Sequence, residues 1–114
     1  MDDFEYIDSW NAAINPNTSP ETLERLANDE NWPIRSYVAE NPSTPPETLE
    51  RLANDKHPDV RHYVALNLNT SPETLERLAD DENWWVRCTV ADNPNTPQYL
   101  KDYLKIKEFL NYYE

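Results

Sequence analysis

Pro20-Glu-Thr-Leu-Glu-Arg-Leu-Ala27 recurs unchanged at residues 46–53 and 72–79. Outward from it, Asn15-Pro16-Asn17-Thr18, Asn41-Pro42-Ser43-Thr44, Asn67-Leu68-Asn69-Thr70 and Asn93-Pro94-Asn95-Thr96 keep the same 26-residue step without a gap. A period of this length marks stacked supersecondary units that bury their apolar faces against their neighbours. The expectation is a single all-α domain over 1–114, a short solenoid of helix pairs. It divides into an N-terminal half-repeat cap (1–14), three repeats (15–40, 41–66, 67–92) and a C-terminal capping helix (93–114).

In each first helix Leu23, Leu26 and Ala27 fall at i, i+3, i+4 and make a narrow inward stripe, leaving Glu21, Glu24, Arg25 and Asn28 outside. Thr18, Thr44 and Thr70 stand three residues before Glu21, Glu47 and Glu73, the spacing of a capping box with Thr as the cap. Pro45, directly after Thr44, then takes the first helical position. Glu21 and Arg25 are spaced for an i, i+4 ion pair.

The second helices, 32–40, 58–66 and 84–92, open after Asn31, His57 and Asn83, of which His is the poorest cap. Ile34, Tyr37 and Val38 and their counterparts point inward, with Ala39, Ala65 and Ala91 where two helices pass closely. Each second helix stops at Asn15, Asn41, Asn67 or Asn93, where Asn is expected to take the left-handed conformation that Gly supplies elsewhere. Residues 8–14 align with a second helix alone, and Leu100, Leu104 and Leu110 are expected to line the final helix, so the solenoid reads as closed at both ends.

Val60-Arg61…Val64-Ala65-Leu66-Asn67…Thr70…Leu75…Leu78-Ala79…Asp81 resembles the leucine-rich repeat variant family and, more broadly, the HEAT-like α-solenoids. The resemblance covers about residues 8–104 and implies a right-handed superhelix of helix pairs, the second helix short or partly 3-10. It brings no catalytic residues. Some relatives add a Cys-rich iron–sulfur segment, and Cys88 alone cannot hold such a cluster.

Composition narrows the function. The 22 acidic and 10 basic residues give a net charge of −12, which excludes the usual electrostatic approach to nucleic acid or an anionic membrane. Residues 1–92 hold 19 acidic and 7 basic groups, whereas 93–114 hold three of each. The absence of Gly excludes phosphate-cradling loops. One Cys, an acidic start and no apolar run of membrane-spanning length point to a cytoplasmic protein. The acidic runs Asp29-Glu30 and Asp80-Asp81-Glu82 lack the alternation and Gly of a calcium loop, and His57 and His62 lie about 140° apart on a helix. No nucleophile–base set is present, so the chain reads as a non-enzyme without metal or cofactor.

Arg35, Arg61 and Arg87 follow Asp29, Asp55 and Asp81 by six residues. Each guanidinium is expected to pair with a carboxylate of its own or the adjacent repeat, as a structural ladder. Since the first helices are nearly identical, specificity for a partner must come from the rows that differ. Trp32, Asp59, His62, Trp84 and Trp85 are therefore the candidate contacts, on the second helices and the turns that lead into them. Two readings of the tryptophans stay open: exposed anchors, or Trp32 and Trp84 filling gaps between repeats with Trp85 alone exposed.

Glu21, Glu47 and Glu73 with Glu24, Glu50 and Glu76 would form an acidic lattice. The function expected is a monomeric protein-interaction module. The alternative is an acidic decoy of a nucleic-acid-binding protein, of viral or mobile-element origin, whose partner would be basic.

Overall fold

In the computed structural model, which describes residues 3–112, each Pro-Glu-Thr-Leu-Glu-Arg-Leu copy is a seven-residue helix with Pro at its first position. In chain order the elements are α1 (Asp3–Ile14), α2 (Pro20–Leu26), α3 (Trp32–Glu40), α4 (Pro46–Leu52), α5 (Pro58–Leu66), α6 (Pro72–Leu78), α7 (Trp84–Asp92) and α8 (Gln98–Tyr112). No strand occurs among the described residues. The second helices are nine-residue α-helices, so the first helix of each pair is the shorter. The 3-10 character expected there is confined to i→i−3 bonds at the ends, such as Ile34 N–H to Asn31 O and Asn41 N–H to Val38 O.

Second helices α1, α3, α5 and α7 pack neighbour on neighbour in a row, and α2, α4 and α6 each touch the second helices before and after them. The result measures 50 × 24 × 16 Å. Ile34, Val38, Val60, Val64, Val86 and Val90 are fully buried along the row, and Leu23, Leu49 and Leu75 seal it from the first helices. Ala13, Ala39 and Ala65 are fully buried, consistent with close helix approach. Tyr37 and Tyr63 are only partly buried against this core, at the edge of the inward stripe. At the ends, α1 starts at Asp3, five residues before the expected half-repeat, and Leu100 and Leu104 are buried while Leu110 is 55% exposed. Beyond Leu104 the described part of the final helix buries no apolar side chain, and it meets the repeats through the half-buried Lys107 and Glu108.

Several local expectations need correction. The first-helix caps are Ser19, Pro45 and Ser71, one residue later than Thr18, Thr44 and Thr70. Ser19 and Ser71 accept from the N–H of Thr22 and Thr74. The Thr hydroxyls turn backward: Thr18, Thr44, Thr70 and Thr96 donate to the carbonyls of Ala12, Val38, Val64 and Val90 at 2.6 Å, tying each loop to the helix it leaves. In α3, α5 and α7 the hydroxyl is a second donor to an end carbonyl that also accepts the N–H of Asn41, Asn67 or Asn93. Pro45 can occupy the cap position because no side-chain acceptor is used there.

The Asn stops do not act as Gly substitutes. No described residue has positive φ, and Asn41, Asn67 and Asn93 are extended, with ψ near 126°, 131° and 124°. Their side chains are buried and bridge repeats. Asn67 Nδ2 donates to Ala39 O at 2.8 Å and Asn41 O at 3.0 Å, while its Oδ1 accepts from Asn69 N at 2.8 Å. Asn41 and Asn93 repeat the pattern on Ala13 and Asn15 and on Ala65 and Asn67. One amide thus links three backbone groups, which only an uncharged side chain with both donors and an acceptor can do.

The arginine ladder runs between repeats. Arg35 Nε and Nη2 donate to Asp55 at 2.6 and 3.1 Å, Arg61 to Asp81 at 2.7 and 3.2 Å, and Arg87 closes on Glu108 of α8 at 2.8 Å. Each Nη1 also donates to the carbonyl six residues back. Burial pushes the Asp55 carboxyl up, but the Arg35 hydrogen bond, the His57 N–H and the Arg35 charge together hold it below its ordinary value. On the first helices Arg51 pairs with Glu24 of the preceding repeat, not with Glu47 of its own.

Candidate interaction surface

The turns leading into α5 and α7 are built by their side-chain caps, whereas Asn31 makes no side-chain cap hydrogen bond to α3 and its N–H donates to Asp29 Oδ1 at 2.9 Å. Asn83 Oδ1 accepts from Trp85 N at 2.9 Å and Val86 N at 3.3 Å, which fixes the first turn of α7 and leaves Trp84 and Trp85 60% and 50% exposed. His57 caps α5 better than its residue type suggests, because Nδ1 accepts from Asp59 N at 3.1 Å. Its ring lies on Trp32, with centroids 3.8 Å apart and planes 14° apart, and Trp32 remains 39% exposed. All three tryptophans thus reach solvent; neither Trp32 nor Trp84 is sealed between repeats.

His62 is 8% exposed and lies beneath Trp85, ring centroids 3.7 Å apart at 16°. Thr89 Oγ1 donates to Trp85 O, so its 2.9 Å contact with His62 requires the imidazole proton on Nδ1. His62 accordingly supports Trp85 from below and offers little surface itself. Burial lowers its pKa, opposed by the Asp59 charge. Asp59 is half-buried beside the His57 cap. Trp32 with His57, and Trp85 with His62, therefore form two stacks on one row of second helices, each joining adjacent repeats.

The acidic residues are not uniform. Glu21, Glu47, Glu50, Glu73 and Glu76 are exposed, while Glu24 is half-buried, accepting from Thr48 Oγ1 at 2.6 Å and pairing with Arg51. Glu76 accepts from Tyr99 at 3.3 Å. At the C-terminal end Asp80 receives Tyr103 and Lys107; these hydrogen bonds hold its carboxyl below the ordinary range and raise both partners.

A third region forms at the other end of the second helices. A cavity of about 340 Å³ opens between Glu40, Pro42, Tyr63, Leu66 and Leu68, and a smaller one of about 190 Å³ between Ile14, Tyr37, Glu40 and Pro42. Leu66 is 49% and Leu68 62% exposed. This surface is not among the candidates read from the sequence. The signal was present: Leu66 stands where the first and third repeats have Glu40 and Asp92 and α1 has Ile14, and Leu68 replaces Pro16, Pro42 and Pro94.

Among the described residues no group of three or more His, Cys, Asp or Glu is arranged to hold a metal, and no helix is long and apolar enough to cross a membrane. Cys88 is half-buried, and burial with the charges of Glu108 and Asp92 raises its thiol pKa.

No curated protein and no solved structure matches the chain. The Leucine Rich Repeat Variant domain matches residues 8–66, more than half of the 114, and the leucine rich repeat variant model matches residues 58–83. Repeat, helix pairing and family match agree: the chain belongs to the leucine rich repeat variant family.

Proposed function

We propose that this chain is a non-catalytic, monomeric interaction module that binds a protein partner through the second-helix row and its aromatic lead-in turns. Repeat domains of this family are generally protein-interaction scaffolds, which supports the coarse reading. The observation that carries the finer one is Trp85, 50% exposed yet stacked on His62 and with its N–H held by Asn83, beside Trp84, which is 60% exposed. Holding large aromatics in place before binding lowers the ordering cost of a contact, and Trp is enriched among residues that dominate interface energy.

The exposed Glu21, Glu47 and Glu73, one per repeat, favour a second reading, an acidic face for a basic partner. Affinity capture with Trp84→Ala/Trp85→Ala and with Glu21→Lys/Glu47→Lys/Glu73→Lys separates the two. Loss of a direct partner in the first variant supports the aromatic contact; loss only in the second, with binding that weakens steeply as salt rises, supports the acidic one. Retention of every partner by both variants overturns both.

A further inference from the structure

The two cavities at the C-terminal ends of the second helices are built in register. The smaller lies between the ends of α1 and α3, and the larger between the ends of α3 and α5, with Glu40 and Pro42 lining both. Trp10 extends the aromatic wall by meeting Tyr37 edge-on, ring centroids 6.2 Å apart. The larger cavity is lined where the second repeat differs from the first and third in the apolar direction. Where other repeats place Glu40 or Asp92, and Pro16, Pro42 or Pro94, it has Leu66 and Leu68, both exposed. In a chain with 38% apolar residues, the exposed Leu66 and Leu68, with the exposed Ile14 of α1 in the same row as Leu66, mark a contact rather than a core.

Spacing and charge choose the occupant. Adjacent packed helices lie about 8–10 Å apart, so equivalent cavities on successive second helices are separated by about that distance. A polyproline-II segment rises about 3.1 Å per residue and returns to the same face every third residue, placing like-facing side chains about 9 Å apart. An extended strand offers like-facing side chains about 7 or 13 Å apart, and neither matches. Aromatic-lined grooves are also what such segments dock into. Glu40 on the shared wall, in a chain of net charge −12, selects a basic side chain.

We propose that these cavities bind a polyproline-II peptide carrying two apolar side chains three residues apart, with a basic residue between them that meets Glu40. This rests on the interaction-module reading but not on Trp84 and Trp85, which open α7 and line neither cavity.

The test is fluorescence polarisation with the fluorescein-labelled peptide Pro-Leu-Pro-Arg-Leu-Pro. Two further peptides serve as comparisons, one with Glu in place of Arg and one with the two Leu only two residues apart. The protein variants are Leu66→Glu/Leu68→Pro, which installs residues the other repeats already carry, and Glu40→Gln. The parent peptide is expected to bind saturably, at least tenfold more tightly than either comparison. It should bind Leu66→Glu/Leu68→Pro at least tenfold more weakly, and Glu40→Gln more weakly too. Trp84→Ala/Trp85→Ala should bind it as the unaltered chain does, so failure here is distinct from failure of the lead-in reading. No saturable binding up to about 1 mM, or equal binding by Leu66→Glu/Leu68→Pro, overturns the proposal. So does self-association in sedimentation that this variant abolishes, because a second copy would then be the occupant.

Discussion

The side-chain amide of Asn67 donates to the carbonyl of Ala39, 28 residues earlier, at 2.8 Å. The same amide reaches Asn41 O, so one buried side chain holds the end of one second helix and the loop that follows it. Removing it takes the side-chain partner from the Ala39 carbonyl and the Asn69 N–H, while Asn41 O keeps the N–H of Thr44; an unsatisfied buried group costs about 1–3 kcal/mol. Asn67→Ala should therefore lose about 2–4 kcal/mol in urea unfolding. Asn67→Gly separates the two accounts of this residue: a left-handed helix stop would tolerate Gly, whereas the bridge predicts a loss at least as large as that of Ala.

The two classes of arginine should behave differently. Arg61 and Asp81 have side chains 10% and 7% exposed, and Arg61 also donates to Asp55 O. Arg61→Ala leaves a half-buried carboxylate and a carbonyl without their partner, a loss of about 2–4 kcal/mol. Arg51 and Glu24 are 61% and 36% exposed. Solvent screening limits Arg51→Ala to less than about 1 kcal/mol. Chemical denaturation of the two variants side by side checks the ordering.

His62 makes stability sensitive to mild acid. Its folded-state pKa lies below 6.5, chiefly because burial disfavours the cation, so the unfolded chain binds the proton more readily. Stability is then complete above about pH 6.5 and falls as the pH drops through the window between the unfolded and folded values. His62→Ser, which places Ser36's residue type in the same row, should reduce the difference between denaturation midpoints at about pH 7.5 and about pH 5.5. An unchanged difference would assign the acid sensitivity to other groups.

At lower pH the Asp55 pairing acts in the same direction. Its carboxyl is held below 3.8, so the stability it supplies is full above that value and is lost as pH falls through the folded pKa. Asp55→Asn should lower stability at neutral pH and flatten the loss between about pH 4 and about pH 2, read from thermal midpoints.

The helix pairs were legible in the sequence because their signals are local: Leu23 and Leu26 show the apolar period, and Pro45 marks the start of α4 to within one residue, the helix opening at Pro46. The Asn bridge was not, because its partners lie 26 and 28 residues away and local rules give Asn a different role. Thr44 was misread for a related reason. Thr and Ser share the same capping chemistry, and only the fold shows that the Thr44 hydroxyl turns back to Val38. The Arg35–Asp55 pairing was legible down to the residue types, leaving only the choice of repeat to the structure. At the candidate surface, Trp84 and Trp85 were found as departures from the repeat, whereas the Leu66–Leu68 groove needed the positions of Tyr63 and Glu40 from neighbouring helices.

Hydroxyl-radical footprinting of the domain, free and bound to a captured partner, tests the interaction reading most directly, because it reports on the tryptophans in the unaltered chain. The account predicts that Trp84 and Trp85, exposed in the free chain, become protected from oxidation in the complex. Oxidation of both at the free rate in a stable complex would contradict it.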